Sequence, residues 1–565
     1  MKVNLIGNFQ PNTGLNHDAS IMRGLLTHVY GKDVQIFKVP HVFPQCEESD
    51  INIFLEVINP SLFAYANKNI WIPNQEWTYK TWIPYLKMVD EVWTKTKQAT
   101  QIFTDLGANV REVGWTSIDK VFCEKKIYSK AIVLVGKNIY RQPKQLLKAY
   151  LEIQEKEPDV YEKLPHLYIP YNPNHVTFYY PFELASKVTL LRDELTEKEY
   201  DELLQECGLA ICLSAAEGYG HAVNEAMSSG CNMILSSIQP FEQLAGGNSS
   251  ALFTDVLTVV DHPDCLAKLV DTTIPSIVLA LKTYIKRDFK SKKNAGAFMR
   301  SLYEKRHKSF LNDMKNALES IRSEGYSLSF PKEEELPDVS IVTITKDRRV
   351  FMPLAKYSYM IQSYPESKLE WVIVDDGDDP IEDTLFGVPN VTYIRCEKSM
   401  TIGEKRNLGV EKAIYNTIVM MDDDDVYPNN SVLHRVAMML KEPVKQCGFC
   451  TTIPCYDIKK FCSFMNVPPM TLSMSERVSE ATLVFTRAFW EERKFDDIQI
   501  AEGNTFIHGR EQVCRELSPQ DVIVSLVHSK NTSSRKIPEF KEANGCHYGF
   551  NEQLFSMVTQ IGETI

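Results

Sequence analysis

The chain has 565 residues, more than one hydrophobic core normally organises, so two to four domains are expected. Its 44% hydrophobic and 24% charged residues exclude a largely disordered or fibrous chain. A net charge of −12 argues against wrapping a nucleic-acid backbone, a contact normally made by a net basic surface. No window approaches the about 20 uninterrupted apolar residues of a membrane span. The best, 273–285, contains Lys282, so any membrane contact is expected to be peripheral. Thirteen cysteines without regular spacing, and a start that lacks the apolar stretch of a signal peptide, predict a reducing, cytoplasmic compartment. The densest group, Cys447, Cys450, Cys455 and Cys462, has a zinc-like gap in its first pair only and is read as thiols packed in and beside strands.

Apolar runs alternate with longer amphipathic segments, which predicts an α/β chain of parallel sheets with helical crossovers. The first unit, 1–125, opens with a buried strand at 2–7, a Pro/Asn/Gly loop ending at Gly14, and a helix through Tyr30. Strands near 34–39 and 51–56 follow, then a Trp-rich stretch from Trp71 to Trp93. Trp71, Trp77, Trp82, Trp93 and Trp115 read either as core residues or as an aromatic surface on which a ligand stacks. Pro73-Asn74-Gln75-Glu76-Trp77 is the most site-like segment among them, because polar groups interrupt it where a strand should end. The second unit, 126–296, begins with a strand at 131–136, continues through 187–191 and 209–213, and ends its pattern near Ile285. Two doubly wound units of this size predict a cleft between them.

Leu302, Phe310, Met314, Leu318 and Ile321 recur at helical spacing among charged residues, which predicts one long surface helix over 297–322. The segment 327–338, with Pro331, Pro337 and the acid run Glu333-Glu334-Glu335, reads as a linker, so 297–338 separates the first two units from a third, 339–565.

The third unit carries the most specific chemistry. Strands at 339–344, 371–374 and 417–421 lead into Thr345-Lys346-Asp347-Arg348, Asp375-Asp376-Gly377 and Asp422-Asp423-Asp424-Asp425. Carboxylates at the carboxyl ends of parallel strands converge on one crevice, where open α/β sheets bind ligands. Four consecutive acids are unfavourable unless a cation neutralises them, and hard divalent ions prefer carboxylate oxygens; Mn²⁺ or Mg²⁺ beside a diphosphate is the natural occupant. The bland alternative is a solvated turn or a helix N-cap.

With Gly403-Glu404-Lys405-Arg406-Asn407-Leu408-Gly409 opening a helix between the second and third of these motifs, the segment 339–534 resembles the family-2-type glycosyltransferases of the GT-A fold. The resemblance puts Asp376, with Asp375 nearby, on the nucleotide base, and Arg406 and Asn407 beside the nucleotide or sugar, with Thr345 in the same donor site. It makes Asp422 and Asp424 the Asp-x-Asp pair, Asp424 being the better candidate for direct metal contact, and His528 a further metal ligand. These enzymes usually carry a Glu-Asp pair whose carboxylate deprotonates the acceptor. Here the stretch reads Ala501-Glu502-Gly503-Asn504, so the second acid is missing and Glu502 is the expected base. The alternative for Glu502 is an exposed acid in a polar loop. Direct displacement implies inversion at the anomeric carbon.

Earlier in the chain, the strand 209–213 runs into Ser214-Ala215-Ala216-Glu217-Gly218-Tyr219-Gly220-His221, and Glu225 follows seven residues after Glu217. Gly218-x-Gly220 is not a dinucleotide fingerprint, because Val223 occupies the third glycine position; Gly136-Lys137-Asn138 lacks the Ser/Thr of a P-loop. Glu-x7-Glu after a strand, before a small-residue helix, a strand at 233–236 and Phe241-Glu242, resembles the retaining family-4-type transferases of the GT-B fold over about 131–244; over 1–124 only the strand, Gly14-Leu15 and the helix match. The resemblance implies that Glu217 contacts the donor sugar and Glu225 the ribose, with Gly14 on the same site. Lys137 and Arg141 would bring positive charge to the diphosphate, although Lys137, Arg141 and Lys144 do not reproduce the family's basic spacing. No metal cluster is expected in this half; cationic side chains and a helix N-terminus would replace the ion.

The expected function is transfer of sugars from nucleotide-sugar donors to a glycan, glycoprotein or glycolipid acceptor at two sites, the first retaining and metal-independent, the second inverting and Mn²⁺- or Mg²⁺-dependent. The alternative is one catalytic module beside a carbohydrate-binding or scaffolding one. A nucleotide-sugar oxidoreductase would need the complete glycine fingerprint that is missing.

Overall fold

Strand β1 (Lys2–Gly7) is buried at five of its six positions, as a central strand of a sheet covered on both faces must be. It is followed by the helix Gly14–Tyr30, capped by Thr13, whose Oγ1 accepts the Asn16 N–H. In a computed structural model, residues 1–10, 13–41, 46–141, 143–192, 195–246, 249–321, 330–442, 444–531 and 548–565 are described. The chain falls into two compact units: Met1–Lys38, Asp50–Ile58 and Lys68–Glu324 form one, and Val39–Ser49, Asn59–Asn67 and Gly325–Ile565 the other. The first three residues of the expected linker, 327–329, lie outside the described residues.

The first unit is built on two six-stranded sheets. With β2 (Gln35–Pro40), β3 (Ser49–Leu55), β4 (Ala66–Ile72), β5 (Glu91–Thr94) and β6 (Val110–Glu112), the first has the order β2-β1-β3-β4-β5-β6, and β1/β3, β4/β5 and β5/β6 pair in parallel. The second consists of β7 (Ile127–Val133), β8 (His166–Pro170), β9 (Val188–Leu191), β10 (Cys207–Cys212), β11 (Asn232–Ser236) and β12 (Leu252–Thr254) in the order β12-β11-β10-β7-β8-β9, parallel throughout. A two-stranded antiparallel ribbon, β13 (Val256–Asp261) and β14 (Lys268–Thr272), follows.

The long helix begins at Phe289, earlier than the sequence pattern suggests, and ends at Glu319. Its start is fixed by Asp288, whose Oδ1 accepts the Ser291 N–H at 2.7 Å. It is not merely a surface helix. Met299, Tyr303, Phe310, Met314 and Leu318 enter the same core as Met22 and Leu26 of the helix Gly14–Tyr30 and Val223 and Met227 of the helix His221–Ser228. Trp71, Trp82, Trp93 and Trp115 are buried, which settles them as core residues, whereas Trp77 lines a cleft.

The second unit holds β15 (Val339–Thr345), β16 (Leu369–Asp375), β17 (Val391–Arg395), β18 (Thr417–Met420), β19 (Cys447–Phe449), β20 (Ile453–Asp457), β21 (Cys462–Asn466), β22 (Val484–Thr486), β23 (Cys514–Glu516) and β24 (Ser525–Val527). The main sheet runs β17-β16-β15-β18-β22-β19-β23; its first four strands are parallel, and β22 is antiparallel to both neighbours. A small sheet, β21-β20-β24, completes it. Register places Thr345 beside Asp375 and Val342 beside Met420, so β15, β16 and β18 deliver their carboxyl-terminal residues to one edge. The cysteines 447, 450, 455 and 462 are buried free thiols in or beside these strands.

Candidate active sites

At that edge lies a cleft of about 420 Å³ lined by Thr345, Arg348, Lys405, Arg406, Asp422, Asp424, Asp425, Glu480 and Glu502, among others. The acid run after β18 is largely buried and is not a helix cap, since the next helix, Ser431–Leu440, is capped at Asn430. Asp422, Asp424 and Asp425 each offer a carboxylate oxygen within 4.8 Å of the others, the one group among the described residues with the make-up to hold a metal ion. An all-carboxylate donor set fits Mn²⁺ or Mg²⁺.

Two arginines share the charge. Arg348 Nη1 donates to Asp423 Oδ1 at 2.9 Å and to Asp424 Oδ2 at 2.7 Å. Arg406 donates to Glu502 Oε1 at 2.8 Å through Nε and to Asp422 Oδ1 at 3.2 Å through Nη1. Burial opposes both charges, yet the facing carboxylates hold both guanidinium groups above their ordinary range. Asp423 is pushed up to about 6 by burial, with Arg348 opposing and Asp424 adding to the rise. His528 does not line the cleft: its buried ring lies against Phe351, its Nε2 is 3.2 Å from Asp424 Oδ2, and its Nδ1 accepts the Lys530 N–H. In this state it braces Asp424 rather than facing the cleft.

Neighbouring residues diverge in role. Asp376 Oδ1 accepts from Lys405 Nζ at 2.7 Å and its Oδ2 accepts the Met400 N–H at 2.8 Å; burial raises its carboxyl, but these bonds hold it below the usual range. Asp375, expected near the nucleotide, accepts from the Gly377 N–H and Tyr393 Oη and so fixes the loop; neither it nor Asp376 lines the cleft. Asn407, expected beside the donor, is likewise turned from the cleft. Its Oδ1 accepts from Trp490 Nε1 and the Phe495 N–H, because adjacent helical residues point about 100° apart.

Glu502 opens the helix Glu502–Ile507 behind Ala501, whose φ of 62° is a strained backbone for a residue other than glycine. Glu502 is buried, not an exposed loop acid. Beside it stands Glu480, which sequence reading did not single out; its carboxyl is pushed up to about 7 by burial and by Glu502, against the pull of Arg406.

The first unit carries a second cleft, of about 560 Å³, between its two sheets. Gly220 caps the helix His221–Ser228 with φ 99°, a left-handed conformation open to glycine. Gly14, Lys137, Arg141, Glu217 and Glu225 all line this cleft; Lys144 does not. Glu217 and Arg141 form a bidentate pair, 2.6 and 3.0 Å, so the guanidinium expected at a diphosphate is held by the carboxylate expected at the sugar. Glu225 is buried, its carboxyl raised by burial, with His17 Nδ1 3.7 Å away.

Glu76, from the site-like segment, is also here. A Cβ on Gly218 would come within 2.2 Å of its Oε2, and burial, then Glu217 and Glu56, push its carboxyl up to about 8. Asp18 is missing from the sequence reading. It is buried among Lys95 Nζ at 2.6 Å, Trp115 Nε1 at 2.5 Å and His221 Nε2 at 2.9 Å, and Lys95 and His221 overcome burial to hold it low. Trp77 stacks on Tyr140 with ring centres 5.0 Å apart.

Residues 340–466 match the model of Glycosyl transferase family 2. The match covers part of the second unit, where the parallel strands β17-β16-β15-β18 carry the acid run, and two six-stranded, Rossmann-like parallel sheets precede it in the chain. No curated protein matches the chain. Among solved structures, a mannosyltransferase from Pyrobaculum calidifontis in complex with GDP-Man and Mn²⁺ is 16% identical, with a TM-score of 0.29, over 35% of this chain and 60% of that one. The pneumococcal O-GlcNAc transferase GtfA in complex with UDP and GlcNAc is 15% identical, with a TM-score of 0.37, over 49% of this chain and 57% of that one. A trehalose-6-phosphate structure from E. coli bound with UDP-2-fluoro glucose is 9% identical, with a TM-score of 0.42, over 57% of this chain and 98% of that one. The alignments thus span less than two thirds of the first two structures. Among the described residues, no helix is long and apolar enough to cross a membrane.

Proposed function

We propose that the chain is a bifunctional glycosyltransferase, using nucleotide-sugar donors at both clefts and a glycan or glycoconjugate as acceptor. The observation that carries the reading is the convergence of Asp422, Asp424 and Asp425 at the mouth of a cleft within the family 2 module. In this reading 1–125 is an acceptor domain, 126–296 a donor domain and 339–565 the second transferase. Free thiols among the described residues support a reducing, cytoplasmic setting.

In the C-terminal cleft, Asp422, Asp424 and Asp425 would hold Mn²⁺ or Mg²⁺, which when bound offsets the charge of a diphosphate leaving group. Lys405 orients Asp376 toward the nucleotide side, Arg406 fixes Glu502 and Asp422, and His528 orients Asp424. A carboxylate at the Glu502 end accepts the acceptor proton, and attack opposite the leaving group inverts the anomeric carbon. In the N-terminal cleft Glu217, Glu225, Arg141 and Lys137 face the donor, and transfer proceeds with retention and without a metal.

The test is release of nucleoside diphosphate from a panel of UDP- and GDP-sugars, with and without chelator. Turnover with an Mn²⁺-dependent part removed by Asp424→Asn and a chelator-resistant part removed by Glu225→Ala is the expected result. Absence of turnover with every donor would overturn the reading. One observation favours a second reading for the N-terminal half: the Arg141–Glu217 pair commits both groups to each other, which suits a sugar-binding module. A chelator-resistant part that is missing from the wild type, with donor binding retained, would select it.

A further inference from the structure

Resting on that reading of the C-terminal cleft, the structure answers a question the sequence leaves open: which carboxylate replaces the second acid of the Glu-Asp pair. Gly503 stands at that position. A Cβ built on Gly503 would meet Glu480 Oε1 at 2.8 Å and Glu480 Cγ at 2.9 Å, closer than real Cβ contacts come. The space beside Glu502 that a side chain from 503 would use is therefore filled by the Glu480 carboxylate, delivered from the short helix Glu480–Thr482 ahead of β22. Glu480 Oε1 also accepts the Gly503 N–H at 3.1 Å, which anchors the side chain in that place.

Glu502, by contrast, is committed. Its Oε1 accepts from Arg406 Nε at 2.8 Å, and the same guanidinium holds Asp422. A carboxylate oxygen held by a buried guanidinium must give up that bond before it can take the hydrogen of an acceptor hydroxyl. Both acids line the cleft, so the difference between them lies in their partners.

We propose that Glu480 is the group that takes the acceptor proton in the C-terminal cleft, while Glu502 positions Arg406. The acceptor hydroxyl gives its proton to the Glu480 carboxylate, and its oxygen pair forms the new bond to the anomeric carbon. The bond from that carbon to the diphosphate oxygen breaks, and its electron pair leaves with the nucleoside diphosphate. Glu480 returns its proton to solvent. The groups facing Glu480 are Glu502, Arg406 and the Gly503 N–H; burial and Glu502 outweigh the other two and bring its carboxyl to about 7, a value suited to proton exchange near neutrality.

The test uses the full chain and the Mn²⁺-dependent release of nucleoside diphosphate from the UDP- and GDP-sugar panel, with UDP and GDP affinity measured alongside. Glu480→Gln should slow release on the order of a hundredfold or more, keep nucleotide affinity within about twofold, and abolish the rise in rate through neutral pH. Glu480→Ala combined with Gly503→Asp returns an acid to the same space from the other side, and should recover much of the loss; Glu480→Ala alone should not. Glu502→Gln should slow release while keeping the pH rise. Release by Glu480→Gln near the wild-type rate overturns the proposal alone, as does loss of the pH rise in Glu502→Gln but not in Glu480→Gln. If the wild type releases nothing from any donor, the glycosyl-transfer reading fails and the proposal falls with it.

Discussion

The two clefts differ in which buried acids they pair with a cation and which they leave to burial. In the C-terminal cleft the acid run after β18 and Glu502 are met by Arg348 and Arg406, so there charge is answered by charge, while Glu480 is left raised by burial. In the N-terminal cleft, Glu56 and Glu76 are raised chiefly by burial, while cations serve Asp18 and Glu217. A low-dielectric site can thus keep a carboxylate ionised by pairing it or keep a carboxylic acid neutral by isolating it. The first suits binding of a cation and a polyanion. Under the proposed function, the second would offer a hydrogen-bond donor to a sugar hydroxyl without adding negative charge near a diphosphate.

The largest effect should come from the paired side. Asp424→Asn removes one ionic oxygen of the only three-acid group among the described residues and should lower Mn²⁺-dependent turnover on the order of a hundredfold, with thermal stability nearly unchanged. Turnover and Mn²⁺ affinity measured together decide it; normal values of both would dissolve the contrast between the clefts. Next in size, Glu217→Gln breaks a buried bidentate pair and leaves Arg141 without its countercharge, so unfolding of the N-terminal unit should become easier by about 3 kcal/mol. Chemical denaturation checks this, and an unchanged midpoint would show that solvent or another acid compensates.

Arg348→Met should be milder and conditional. It exposes Asp423 and Asp424 to each other, so the melting temperature should fall in chelator and recover when Mn²⁺ is added. A fall that Mn²⁺ does not reverse would mean that Arg348 is a packing residue. The last effect is one of pH, at Glu76. Its folded carboxyl titrates near 8 against an ordinary 4.5, so its contribution to stability is complete below the lower value and is lost as pH rises toward the upper. Glu76→Gln should narrow the difference in denaturation midpoint between about pH 5 and about pH 8. An unaltered difference would place Glu76 in contact with solvent.

Much of the fold could be read from the chain because buried parallel strands are continuous apolar runs. Residues 2–7 coincide with β1, and the first helix ends at Tyr30. The strand read as starting at 131 begins instead at Ile127, because Tyr128, Ser129 and Lys130 give no continuous apolar signal; the ladder, pairing Lys130 with His166, carries the strand through them. In the sites, Asp422, Asp424, Glu217, Glu225 and Glu502 fall on cleft walls because their motifs mark strand ends and helix starts. The resemblance places Asp375 and Asn407 with Asp376 and Arg406, yet strand alternation and helical rotation send neighbouring side chains to different partners. Arg348 stands in a strand-end motif that gives it no role of its own, and Asp18 and Glu480 carry no local signal. Their roles arise from partners 75, 77 and 23 positions away, which only the folded chain brings together.

Arg348 also bears on the order of events at the C-terminal cleft. Because its guanidinium already sits between Asp423 and Asp424, a cation arriving under the proposed function would meet a partly occupied berth and exchange with an internal one. Exchange favours a newcomer that arrives with its own anion, since the displaced guanidinium then has a diphosphate to turn to. Loading is therefore expected to be concerted, with ion and nucleotide each weak alone and strong together. Titrating Mn²⁺ with and without UDP, in the wild type and in Arg348→Met, should show that synergy shrink when the internal competitor is removed.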